Sequence, residues 1–144
     1  MTSFKGGCMC GAIRFSVNAN PLMQGMCYCS LCQHANGGSP AFVMLFPKPS
    51  LTVDKGKPKG YETIGDTGNK ITRFFCADCG TALFAESQAR PVVSVKVGSL
   101  DDPGNYKPAA QIFTGSAKPW HTVARIRRHQ CQRPAVTRRQ REHG

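Results

Sequence analysis

Seven of the chain's eight cysteines fall into three tight clusters, and no other feature restricts the fold as much. Cys8 and Cys10 form C-x-C. Cys27, Cys29 and Cys32 form C-x-C-x-x-C. Cys76 and Cys79 form C-x-x-C, followed by Gly80, and Cys131 stands alone. Disulfides and metal compete for such clusters. An even cysteine count suits the disulfide framework of a small secreted domain. The N-terminal residues, however, show no basic start followed by an apolar run and a small-residue cleavage site. The expected compartment is therefore the cytoplasm, where thiols stay reduced. Geometry agrees, because bridged cysteines need Cα atoms ~4.4–6.8 Å apart with converging Cβ vectors. A C-x-C pair in an extended strand meets that poorly, whereas thiolates two or three residues apart on a tight turn converge readily on one Zn²⁺.

Seven ligands divide most naturally into four and three. A closed four-cysteine site is structural, and a three-ligand site leaves a position for water or substrate. Cys27, Cys29 and Cys32 can supply three ligands by themselves. The pairs Cys8/Cys10 and Cys76/Cys79 can then clamp one ion and tie the start of the chain to its middle. A zinc ribbon joining Cys29/Cys32 to Cys76/Cys79, with Cys8, Cys10 and Cys27 left over, is the alternative that spacing leaves open.

Around the cysteines the pattern is β-rich. Ala12–Val17 alternates, with Ile13, Phe15 and Val17 on one face, which predicts a half-buried strand. Further strands are expected at Phe42–Phe46, Leu51–Val53, Lys59–Ile64, Lys70–Cys76, Thr81–Phe84, Pro91–Val97 and Ala110–Phe113. One helix is expected at Ser30–Ala35, stopped by Asn36-Gly37-Gly38. It begins inside the cysteine trio, where the helix dipole favours thiolates. Gly65-Asp66-Thr67-Gly68-Asn69 lacks the Lys-Ser/Thr of a phosphate loop and is a turn.

At 144 residues the chain fits one domain. Its apolar runs fall far short of the ~20 residues of a membrane helix, so no membrane partner is expected. The net charge is +11, and residues 121–144 hold seven arginines against one glutamate. Residues 4–120 are expected to form the zinc domain, and 121–144 a poorly ordered basic tail. No aromatic follows Trp120 to interleave with these arginines, which speaks against stacking on single-stranded nucleic acid. Among other polar residues, His34 is a candidate fourth ligand or proton shuttle, and Arg14 and Arg73 are candidate carboxylate partners. Asp78 and Asp101-Asp102-Pro103-Gly104 are expected in turns, Phe113 and Trp120 in packing.

The clusters with their flanks resemble the glutathione-dependent formaldehyde-activating enzyme family, also called the CENP-V/GFA domain. The residues that carry the resemblance are Gly6-Gly7-Cys8-Met9-Cys10-Gly11-Ala12-Ile13-Arg14, Cys27-Tyr28-Cys29-Ser30-Leu31-Cys32 and Phe75-Cys76-Ala77-Asp78-Cys79-Gly80-Thr81. Val97-Gly98-Ser99-Leu100-Asp101-Asp102-Pro103 and Pro119-Trp120 add to it. The resemblance implies a mainly β fold of small twisted sheets around zinc, the Mss4-like or β-tent fold. It implies two Zn²⁺ per chain, a structural ion on Cys8, Cys10, Cys76 and Cys79 and a catalytic ion on Cys27, Cys29 and Cys32. The implied reaction joins glutathione, or another small-molecule thiol, to formaldehyde, formally a carbon–sulfur lyase run in the synthetic direction. The competing expectation is a non-catalytic zinc module that binds a protein partner. Gln33-His34 follows Cys32 where many members carry a basic pair.

Overall fold

The computed structural model describes residues 2–65 and 67–122, together with the backbone of Arg128–His129. The fold is mainly β, as expected. In chain order the strands are β1 (Ser3–Gly7), β2 (Arg14–Asn18), β3 (Met23–Cys27), β4 (Ala41–Pro47), β5 (Leu51–Lys55) and β6 (Lys59–Ile64). They continue as β7 (Lys70–Phe75), β8 (Ala82–Ser87), β9 (Val92–Lys96), β10 (Ala110–Ile112) and β11 (Arg128–His129). The single α-helix described, α1, runs Ser30–Ala35, where the sequence placed it.

The strands form two sheets. The small one has the order β1-β2-β5, and the large one β11-β10-β3-β4-β9-β8-β7-β6. Pairing is antiparallel except at β10, which lies parallel to both β3 and β11. The small sheet packs on the large one. Phe4 of β1 meets Phe46 of β4 edge-on at 5.2 Å, and Phe15 of β2 meets Phe84 of β8 at 5.9 Å. The alternation read from Ala12–Val17 holds, since Ile13, Phe15 and Val17 are buried while Arg14 and Ser16 are not. Val17, Phe46, Leu83, Val93 and Val95 fill the space between the sheets. Burial of such side chains contributes roughly 1.5–3 kcal/mol each and holds the two layers together.

Three strands, β1, β3 and the two-residue β11 in the expected tail, lie outside the expected set. β1 and β3 carry glycine, which weakens strand patterns. In β3 the glycine is required, because a Cβ on Gly25 would come within 2.7 Å of the Ala110 carbonyl oxygen on β10. The bare backbone lets the parallel pair close beside the cysteine trio.

His121, the first residue of the expected tail, is seated on the body. Its Nε2 lies 2.7 Å from the Gly38 carbonyl oxygen, and its ring stands edge-on to Tyr28. Trp120, expected in packing, is instead 74% exposed. Cys131 and most of the arginine-rich end lie outside the described residues. No helix among the described residues is long and apolar enough to cross a membrane.

Candidate metal centres

The fold sorts the cysteines into two groups. Cys8, Cys10, Cys76 and Cys79 form one, and Cys27, Cys29 and Cys32 the other, with all Sγ atoms in each group within 4.8 Å of one another. The ribbon alternative, which would join Cys29/Cys32 to Cys76/Cys79, is not the arrangement found. None of the seven described cysteines is bridged.

The quartet is built from two turns at one end of the molecule. Cys8–Cys10 lies in the connection from β1 to β2, and Cys76–Cys79 in the connection from β7 to β8. Each turn ends on a glycine in the left-handed region, Gly11 at φ 77° and Gly80 at φ 76°, a conformation glycine adopts without cost. The Ile13 N–H donates to Cys8 Sγ at 3.2 Å, as suits a thiolate. Thr81 links the two turns: its hydroxyl accepts from Met9 N–H at 3.0 Å and lies 3.1 Å from Cys79 Sγ. That hydroxyl, followed by the Thr81 backbone, holds the Cys79 thiol down at about 6.

Metal fits this donor set. Four thiolates at ~2.3 Å from one tetrahedral ion stand about 3.8 Å apart. Cys8 and Cys10 Sγ are 3.5 Å apart, and Cys10 and Cys76 Sγ 3.8 Å.

The trio is positioned by the end of β3 and the start of α1. Cys27 is the last residue of β3. Cys29 caps α1, its Sγ accepting from Cys32 N–H at 3.3 Å. Cys27 and Cys29 are buried with Ala41 and Val43 in a small apolar cluster of their own. Gln33 fixes the loop from beneath. Its amide donates to the Tyr28 carbonyl oxygen at 2.7 Å and to that of Ser116 at 2.9 Å. Sequence reasoning saw Gln33 only as a lost cation; its burial on the inner side of α1 gives it this structural task.

Three thiols this close cannot keep equal acidity. Cys27 is pushed up by sharing protons with Cys29 and Cys32 and by burial. Cys32 is held down by Cys27 and Cys29, with Lys96 and Arg73 adding positive charge. The anionic thiolate is the form that ligates metal. No histidine or acidic residue among those described joins the trio. His34, the candidate fourth ligand, is exposed on α1.

A cavity of about 440 Å³ opens next to this loop. Ala35, one turn beyond Cys32 on α1, forms part of its wall, with Phe74, Phe84, Lys59, Arg73 and Lys96. Residues three apart share a helix face, so the trio and the cavity lie on one side of α1. Lys96, on the strand expected at Pro91–Val97, is half-buried here, and that burial lowers its pKa. Arg14, the other candidate cation, is instead paired with Asp101. Asp78 is exposed in its turn, and Asp102 caps a short turn through Gly104 N–H.

Comparisons with known proteins agree with this picture. The family model described as glutathione-dependent formaldehyde-activating enzyme matches residues 3–116. A Halomonas elongata protein, provisionally named a glutathione-dependent formaldehyde-activating enzyme, is 32% identical over 84 residues. The aligned stretch takes in 56% of this chain and 54% of that protein, so the chain spans about half the length of the curated relative it matches. A crystal structure of a Rhodobacter sphaeroides protein, a structural-genomics target, is similar at a TM-score of 0.55 and 24% identity. That likeness covers 67% of this chain and 87% of the other, and bears on the fold alone. Because the family match runs from β1 through both cysteine groups, the chain belongs to the glutathione-dependent formaldehyde-activating enzyme family.

Proposed function

We infer that the protein adds a thiol to formaldehyde, with glutathione giving S-(hydroxymethyl)glutathione, and that the trio is the working centre. One observation carries this reading: three convergent cysteines without a fourth protein ligand among the described residues, beside a cavity large enough for a small molecule. Both groups of thiolates suit zinc, whose ligand preference is for sulfur and nitrogen. Zinc held by the trio supplies, when bound, one free coordination position that favours the thiolate form of an incoming thiol.

The chain's residues position that thiol. Cys27, Cys29 and Cys32 set the direction from which it arrives, and Gln33 keeps their loop rigid. Phe74 and Phe84 keep one side of the approach dry. In the addition, sulfur gives a lone pair to the carbonyl carbon. The carbonyl π pair moves to oxygen, and oxygen takes up the proton that the thiol gave up. Nothing leaves and no oxidation state changes hands with a cofactor. Three protein thiolates already offset the charge of a divalent ion, so capture and orientation are the main contributions, worth more than polarisation of the aldehyde. The quartet, closed by four protein ligands, has the structural role. The reducing cytoplasm is the compartment that keeps such thiols free for metal.

Calorimetry with the zinc-loaded protein tests this. Glutathione is expected to bind with proton release, and S-methylglutathione, which cannot become a thiolate, is expected not to bind. Equal binding of the two, or binding of neither at two zinc ions per chain, contradicts the reading.

A further inference from the structure

Lys59, Arg73 and Lys96 all line the cavity beside the trio, and no acidic residue does. An adjoining depression of about 400 Å³ shares Lys96, Ala35, Gly80 and Ala82 with it and also lacks an acid. The ion pairs among the described residues are Arg14–Asp101, Lys48–Glu86 and Lys70–Glu62. Arg73 and Lys96 have no carboxylate partner in that set. Arg73 donates from Nη1 to Thr63 Oγ1 at 2.6 Å, which steadies the guanidinium and leaves most of its five donors for something else. Half-buried cations are costly unless anions offset them, and besides the trio's own thiolates the cavity lining supplies none.

Charge counting says how much anion. Three thiolates on a divalent ion leave one negative charge, and a captured thiolate makes two. Arg73 and Lys96 act on that centre and offset its two charges, while Lys59 lines the same cavity from an exposed position, so one positive charge of the lining remains for the captured molecule to balance. The rest of the wall is largely apolar, with Phe74, Phe84, Ala35 and Ala82. An ammonium group here would meet like charge along the wall, from Lys59, Arg73 and Lys96.

We propose that Arg73 and Lys96 are specificity-determining residues that hold a carboxylate of the thiol substrate, and that the cavity admits the carboxylate end of a peptide thiol while its ammonium-bearing end stays outside. For glutathione this places the glycyl end inward and the γ-glutamyl end toward solvent. The inference rests on the thiol reading above. It also explains how the chain manages without a basic pair after Cys32: the cations come from β7 and β9 instead.

The test uses the full-length chain loaded with cobalt, titrated with N-acetylcysteinylglycine, its C-terminal amide and glutathione. Cobalt–thiolate absorption reports capture of the thiol, and calorimetry reports affinity. The acetylated dipeptide is expected to bind within about threefold of glutathione, and the amide at least about tenfold more weakly, the scale of one charge-assisted hydrogen bond. In Lys96→Met and Arg73→Met the acid is expected to fall to the level of the amide. Two variants guard against one that misfolds. Equal binding of acid and amide overturns the inference. So does equal weakening of both in the variants, which would mean that the cations serve only the charge of the metal centre. Glutathione binding more than about tenfold tighter than the dipeptide overturns it as well, because the γ-glutamyl end would then be recognised. If no thiol changes the cobalt spectrum, the thiol reading itself falls, and this inference falls with it.

Discussion

Cys76→Ser is expected to remove one metal ion per chain and most of the protein's stability. Cys76 is 1% exposed and sits where the β7–β8 hairpin meets the β1–β2 turn. The quartet ties the β1–β2 turn to the β7–β8 turn, alongside the Met9–Thr81 hydrogen bond. Structural zinc contributes roughly 10–16 kcal/mol of apparent binding energy in zinc-finger peptides. Whole domains are stable by only about 5–15 kcal/mol. Losing the quartet's ion therefore consumes most of the margin. Thermal unfolding by circular dichroism should show a midpoint at least about 15 °C lower, or no cooperative transition. Metal analysis should find about one zinc in place of two. A variant that keeps both ions, or melts within about 3 °C of the parent, would contradict the structural role of the quartet.

Cys32→Ser should give the opposite profile. The trio lies in a cluster with Ala41 and Val43 that is separate from the main core. The main core, around Phe15, Phe46, Leu83 and Val95, does not depend on it. The melting midpoint is expected to fall by only about 5 °C. Thiol affinity, which needs all three ligands, is expected to fall at least about 100-fold, equivalent to about 2.7 kcal/mol. Binding comparable to the parent would show that thiol capture occurs elsewhere. Loss of binding together with global unfolding would show that the two centres do not divide the work.

The cysteine spacing and the strand alternation carried most of the fold in advance. Lys59–Ile64 and α1 appear at the expected residues, and the strands flanking Cys76–Cys79 are in place. Of the unexpected strands, β1 and β3 are hidden by Gly6, Gly7 and Gly25, because glycine erases the side-chain pattern from which strands are read. The division of the cysteines was open for a different reason. Local spacing fixes which residues share a turn, but which turns meet is decided by the packing of two sheets. Lys96 was invisible as a site residue because it alternates with Val93, Val95 and Val97 on β9. Alternation says only which face a residue takes. Whether solvent or a helix covers that face is set by where α1 docks, and Ala35 of α1 shares a cavity wall with Lys96. His34 shows the converse: near the trio in sequence, it is exposed on α1 and does not join the cluster of sulfur atoms.

Zinc K-edge X-ray absorption on the two-zinc protein, with and without saturating glutathione, tests the central claim most directly. One closed four-sulfur centre and one open three-sulfur centre give a mean sulfur coordination between three and four. Glutathione should raise that mean to four by adding its own sulfur at the trio. A mean of four before glutathione is added, or a mean unchanged by it, would contradict an open thiol-capturing centre at Cys27, Cys29 and Cys32.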